Sequence, residues 1–142
     1  MIAFNENLKK KYPEINKILF LFRELSVLLT THSRHEEEII FPYIRQIENT
    51  YRRRETYGNL FVRTLRKPLS NIEKEHEVIL SILKEIQSLT NNYTCSSNEG
   101  ADLSAIYSKL NEFHNDMLQH MHLEDDILYP KAIEMEKELL QV

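Results

Sequence analysis

The sequence contains one cysteine, Cys95, among 142 residues, so no disulfide can close within the chain. That usage fits a reducing cytoplasm. Cys95 lies in the polar run TNNYTCSSNEG and reads as an inert loop thiol. Two glycines and four prolines are too few for a turn-rich β fold. The longest strongly apolar stretches, such as ILFLF at 18–22, are far too short to span a bilayer. No secretory signal is visible at the N-terminus. Positive charge is not in excess: 18 Lys and Arg stand against 22 Asp and Glu. The net charge of −4 gives no electrostatic reason to expect a nucleic-acid partner. The short basic cluster YRRRETY at 51–57 reads as a solvated interhelical turn. The expectation is a cytoplasmic protein with no nucleic-acid and no membrane partner.

What remains is an ordinary globular composition, 42% apolar and 28% charged, of a length suited to one domain over residues 1–142. Its patterning is helical. Ile18, Phe22, Leu25, Leu29, His32, Glu36, Ile39 and Tyr43 recur in steps of three and four, marking one face of a helix from about Pro13 to about Tyr51. Pro13 suits a first turn, and Pro42 lies inside the pattern, where a kink or local break is expected. A second face runs Leu65, Leu69, Ile72, His76, Ile79, Leu83, Ile86. A third runs Leu103, Ile106, Leu110, Phe113, Met117, His120, Glu124, Ile127, with Asp102 as its cap and Pro130 inside it. Gly58 and Asn59, then residues 91–100, break the chain between helices. No strand-like alternation competes, and the periodicity predicts a bundle of three long antiparallel helices behind a short N-terminal arm.

Five polar residues interrupt these faces: His32, Glu36, His76, His120 and Glu124. Buried imidazole and carboxylate are costly unless paired or metal-bound. Residues i and i+4 lie one turn apart on the same side of a helix, so His32–Glu36 and His120–Glu124 can each aim both groups at one point. His76 adds a fifth group from the remaining helix. The two pairs are also echoes. Aligned at Pro42 and Pro130, HSRHEEEIIFPYI matches HMHLEDDILYPKA, each placing two acids, two aliphatics, an aromatic and a proline behind its HxxxE. A lone histidine in an apolar stripe is more often a hydrogen-bonded core residue, and an isolated HxxxE is common on charged helices. Two matching pairs on apolar faces, with a histidine on the third face, point instead to metal. Imidazole with carboxylate suits iron, manganese or zinc, and two carboxylates from different helices can bridge two ions. By register, His35, His114 and His122 fall outside the ligand set, although His35 or His122 can support it from behind. Glu37, Glu38, Asp125 and Asp126 read as solvated or supporting acids.

HSRHEEEIIFPYI, PLSNIEKEHEVIL and HMHLEDDILYPKAI, in this order and spacing, resemble the hemerythrin-like domain of the repair-of-iron-centres family over roughly residues 8–135. The resemblance implies an up-down four-helix bundle around a non-heme di-iron centre. It assigns His32, His76 and His120 as iron ligands and Glu36 and Glu124 as bridges. It implies repair of iron–sulfur clusters after oxidative or nitrosative damage, in the cytoplasm, with damaged iron–sulfur proteins as partners. A hemerythrin-like module binding oxygen, nitric oxide or iron without turnover, or a metal-free interaction domain, are the alternatives. Relative to the family, the first bundle helix and its histidine ligands are missing from this chain. The centre is then incomplete, and the uncovered face predicts a homo-oligomer, most simply a dimer.

Overall fold

The three periodic stretches form three long helical arms. The structure, a computed structural model, describes residues 10–53, 64–95 and 100–140. The first arm is continuous through α1 (Glu14–His35), a π-helical turn π1 (Glu36–Ile40) and α2 (Phe41–Arg53). The second is α3 (Arg66–Leu89). The third runs through α4 (Ala101–His122), a second π-helical segment π2 (Leu123–Leu128) and α5 (Tyr129–Leu140). Among the described residues there is no strand, and no helix is long and apolar enough to cross a membrane. The all-α class expected from periodicity is the class observed.

The chain forms two compact units, one of Met1–Leu28 with Val78–Gln119, the other of Leu29–Glu77 with His120–Val142. The core of the first is aliphatic: Ile15, Ile18, Leu21 and Leu25 from α1, Ile79, Leu83 and Ile86 from α3, Leu103, Ile106 and Leu110 from α4. Each such side chain contributes about 1.5–3 kcal/mol on burial. In this unit α3 ends where the Asn92 N–H reaches back to the Gln87 carbonyl at 2.8 Å. Asn91, Asn92 and Tyr93 all have positive φ (49°, 60° and 60°). Asparagine tolerates this backbone; tyrosine rarely adopts it. Tyr93 is held there from two sides. Its N–H donates to Thr90 Oγ1 at 3.0 Å, and its hydroxyl meets Nδ1 of the buried His114 at 2.7 Å.

The second unit packs Ile40, Tyr43, Ile47, Leu65, Leu69, Ile72, Tyr129, Ala132 and Leu139 into one cluster. A buried carboxylate, Glu136, lies beside it. Its Oε2 accepts from the Tyr43 hydroxyl at 2.6 Å and from the Leu65 N–H at 2.8 Å, so the polar group is satisfied and the start of α3 is tied to α5.

All seven positions of the second predicted face, from Leu65 to Ile86, are buried. The other faces depart from expectation at the prolines. No break occurs at Pro42 or Pro130. The helix instead widens just before each, and the Phe41 and Tyr129 N–H groups bond the Glu36 and Glu124 carbonyls five residues back. A wider turn relieves the clash that a proline ring makes with the carbonyl four residues earlier. It also shifts the register. Ile39 and Ile127, expected on the core faces, are 43% and 41% exposed, and Ile40 and Tyr129 are buried. In α4 the buried stripe passes through His114 and Met121, leaving Phe113 and Met117 half-buried and His120 exposed. Asp102 sits in the first turn of α4 rather than capping it, where a carboxylate still favours the helix N-terminus. Gly58, Asn59, residues 54–57 of the basic cluster, residues 96–99 and the first nine residues of the arm lie outside the described residues.

Candidate metal centre

All five predicted ligands belong to the second unit. His32 lies in the last turn of α1 and Glu36 opens π1 one turn later, so the pair shares one side of the arm. His76 comes from α3, and Glu124 from π2. His32, Glu36, His76 and Glu124 are each buried, and one nitrogen or oxygen from each lies within 4.8 Å of the others. The two imidazoles lean together at 4.8 Å between ring centroids, with Nε2 of His32 and His76 3.3 Å apart. His32 Nε2 also pairs with Glu36 Oε1. Both glutamates sit in π-helical turns, the irregularity that recurs at functional sites.

The outward nitrogens are occupied. His32 Nδ1 lies 2.7 Å from Glu75 Oε2, and His76 Nδ1 lies 3.0 and 2.9 Å from the two Asp125 oxygens. A carboxylate accepts, so each Nδ1 donates a proton outward and each Nε2 faces inward. This is the carboxylate–histidine arrangement that orients metal ligands. Glu75 binds a second ring as well: His35 Nδ1 donates to its Oε1 at 2.5 Å. The Tyr129 hydroxyl donates to Glu124 Oε2 at 2.9 Å. Glu124 Oε1 is buried without a hydrogen-bond partner, although it lies 3.2 Å from His76 Nε2 and 4.0 Å from His32 Nε2. A buried carboxylate oxygen that makes no hydrogen bond yet faces imidazole nitrogens is costly in a protein core and natural in a cation site. By that measure the donor set fits a metal.

Electrostatics agree. Burial by itself would lower the His32 pKa, but the carboxylates of Glu36 and Glu75 outweigh it and push it up to about 9. His76 is raised by Glu124 and Asp125 against the same burial penalty. Burial also raises Glu36, and Glu124 beside it adds to the shift. For Glu124 burial is overcome by His76, Glu36, Tyr129 and the charge of His120, which hold it down at about 2. Burial, reinforced by Glu124 and Glu36, raises the Tyr129 hydroxyl strongly, so it remains a donor. The two imidazoles are thus shifted toward their charged form, and the two glutamates are pushed apart, Glu36 upward and Glu124 downward.

His120, the fifth predicted ligand, does not join the four-way cluster. Its side chain is 53% exposed, with Nε2 3.4 Å from Glu124 Oε1. Of the histidines placed outside the set, His35 supports Glu75. His122 pairs at the surface with Asp126 at 2.6 Å, and His114 pairs with Tyr93 in the other unit. Asp125, read as solvated or supporting, takes the supporting role toward His76. Sequence reasoning missed Glu75 and Tyr129. Glu75 carries no periodic signal, being one residue before His76. Tyr129 had one: it is the hydroxylated counterpart of Phe41 in the echo.

Residues 2–132 match the family described as the hemerythrin HHE cation binding domain. Among curated proteins, the chain is 33% identical over 105 residues to a probable iron-sulfur cluster repair protein of Haemophilus influenzae, covering 74% of this chain and 41% of that protein. It is 32% identical over 116 residues to the iron-sulfur cluster repair protein YtfE of Yersinia pseudotuberculosis, covering 80% and 47%. With YtfE of Dickeya chrysanthemi the identity is 35% over 105 residues, covering 74% and 42%. The chain spans less than half the length of these relatives. No solved structure matches it significantly. Two HxxxE pairs, a third-helix histidine and a match over most of its length place the chain in the hemerythrin HHE cation binding domain family.

Proposed function

We propose that this chain holds a non-heme di-iron centre and acts in the repair of iron–sulfur clusters damaged by oxidative or nitrosative stress, in the cytoplasm, with damaged iron–sulfur proteins as partners. The observation that carries the reading is the convergence of His32, Glu36, His76 and Glu124 on one buried point, with Glu124 Oε1 making no hydrogen bond there. In this reading His32, His76 and His120 are terminal ligands and Glu36 and Glu124 the bridges. His120 lies next to the cluster, its Nε2 3.4 Å from Glu124 Oε1. Bound iron would supply redox change and open positions for oxygen or nitric oxide. The protein's own part is to orient both imidazoles through Glu75 and Asp125 and to exclude water from the buried carboxylates. The relatives named for cluster repair support the biological role. Restoration of a damaged aconitase-type cluster by the purified, iron-loaded chain tests it. Reversible oxygen binding without restoration would overturn repair in favour of a carrier.

Three imidazoles and two carboxylates leave coordination positions open on two iron ions. Leu123 and Ile127 are exposed on the segment that follows His120. A second copy covering that side, in a homodimer, suits both facts. Sedimentation of the iron-loaded chain as a stable monomer would count against it.

A further inference from the structure

We propose that Glu75 is a positioning residue for the His32 ligand and that His35 is the group that holds Glu75 in place. The inference rests on the metal-centre reading and deepens it. His32 and His35 are three residues apart on α1, close enough around the helix for one carboxylate from α3 to reach both rings. Glu75 uses one oxygen for each: Oε2 for His32 at 2.7 Å, Oε1 for His35 at 2.5 Å. With both oxygens engaged the carboxylate has one orientation. That orientation fixes the His32 ring plane and sends Nε2 toward Glu36 and His76.

The second imidazole has no such clamp. Asp125 spends both oxygens on the single Nδ1 of His76, and its side chain is more exposed than that of Glu75. The two halves of the site are therefore held unequally, and only the His32 half depends on a further histidine. The clamp is reachable from outside. His35 and Glu75 line a cleft of about 540 Å³ with Ile39, Lys67, Pro68 and Asn71, and the His35 side chain is partly exposed while His32 is buried. A substitution at His35 therefore changes the support of a buried ligand without opening the core.

Cobalt(II) binding followed by its absorption spectrum, with affinity measured by chelator competition, tests the proposal on the whole chain. Loss of a carboxylate behind a metal-bound imidazole typically weakens metal binding about 10–100-fold, and that range is expected for Glu75→Gln. His35→Leu should weaken binding by a smaller factor, His35→Gln should restore part of it by offering an amide donor, and His122→Gln should leave it unchanged. The decisive comparison is the double variant. If His35 acts only through Glu75, His35→Leu has no further effect in the Glu75→Gln background. Wild-type affinity in His35→Leu, or independent losses that multiply in the double variant, would overturn the clamp while leaving the metal centre standing. Should Glu75→Gln fail to fold, the contrast between His35→Leu and His35→Gln still decides. A wild-type chain that takes up no cobalt or iron overturns both readings.

Discussion

Nε2 of His32 and Nε2 of His76 face each other 3.3 Å apart, while the Nδ1 of each ring is held by a carboxylate. Two inward nitrogens with fixed outward partners are the arrangement that the proposed metal centre requires. Glu36 and Glu124 set their carboxyl groups beside them. Glu36→Ala or Glu124→Ala is therefore expected to remove most bound metal, whereas His122→Ala, at the surface, is expected to leave metal content unchanged. Elemental analysis of the three variants checks this. Equal loss in all three would mean that the ligand register is wrong.

Tyr129 gives Glu124 its only hydroxyl donor among the described residues. Tyr129→Phe removes that donor from a buried carboxylate oxygen. The expected cost to the metal-free fold is about 1–3 kcal/mol, the usual penalty for an unsatisfied buried polar group. Urea denaturation of the metal-free protein measures it. Metal binding should narrow the difference, because a cation satisfies the same oxygens.

His114 makes a pH test in the other unit. Burial lowers its pKa below the usual 6.5, so it is neutral in the fold at pH values where the unfolded chain already takes up a proton. Stability from this residue is complete above about pH 6.5 and is lost as pH falls below that value, by at most about 1.4 kcal/mol per pH unit. His32 and His76 shift the opposite way, and their contributions stay complete below pH 6.5. Comparing denaturation of wild type and His114→Gln between pH 7 and 5 isolates the effect. The wild type should lose its advantage toward pH 5, and a constant difference would contradict the assignment.

How far the sequence reaches is visible in particular residues. The face from Leu65 to Ile86 was legible throughout because α3 is regular and its apolar steps follow the helical period. Four of the five predicted ligands meet: His32 and Glu36 stay on one helix face as their spacing requires, whereas the second HxxxE pair brings in Glu124 without His120. The register of Ile39 and Ile127 was not legible, because a π turn inserts one residue and a 3.6-residue period cannot anticipate it. The prolines signalled that something irregular occurs there, but not that the helix would widen rather than break. The exposure of His120 was not legible either: two stripes, through Phe113 or through His114, fit the same spacing, and the one that is buried passes through His114, whose ring meets the Tyr93 hydroxyl. Glu75 was hidden for a related reason. Its role depends on two histidines 40 and 43 residues away, a relation no local pattern contains.

The most direct test of the metal centre is the iron content of the purified chain after expression in iron-supplemented medium, read together with its absorption spectrum. About two irons per chain, with absorption of a bridged di-iron centre, is the expected result. A folded, helical chain that retains no iron would contradict it and leave His32, Glu36, His76 and Glu124 as a buried ion-pair cluster of another purpose.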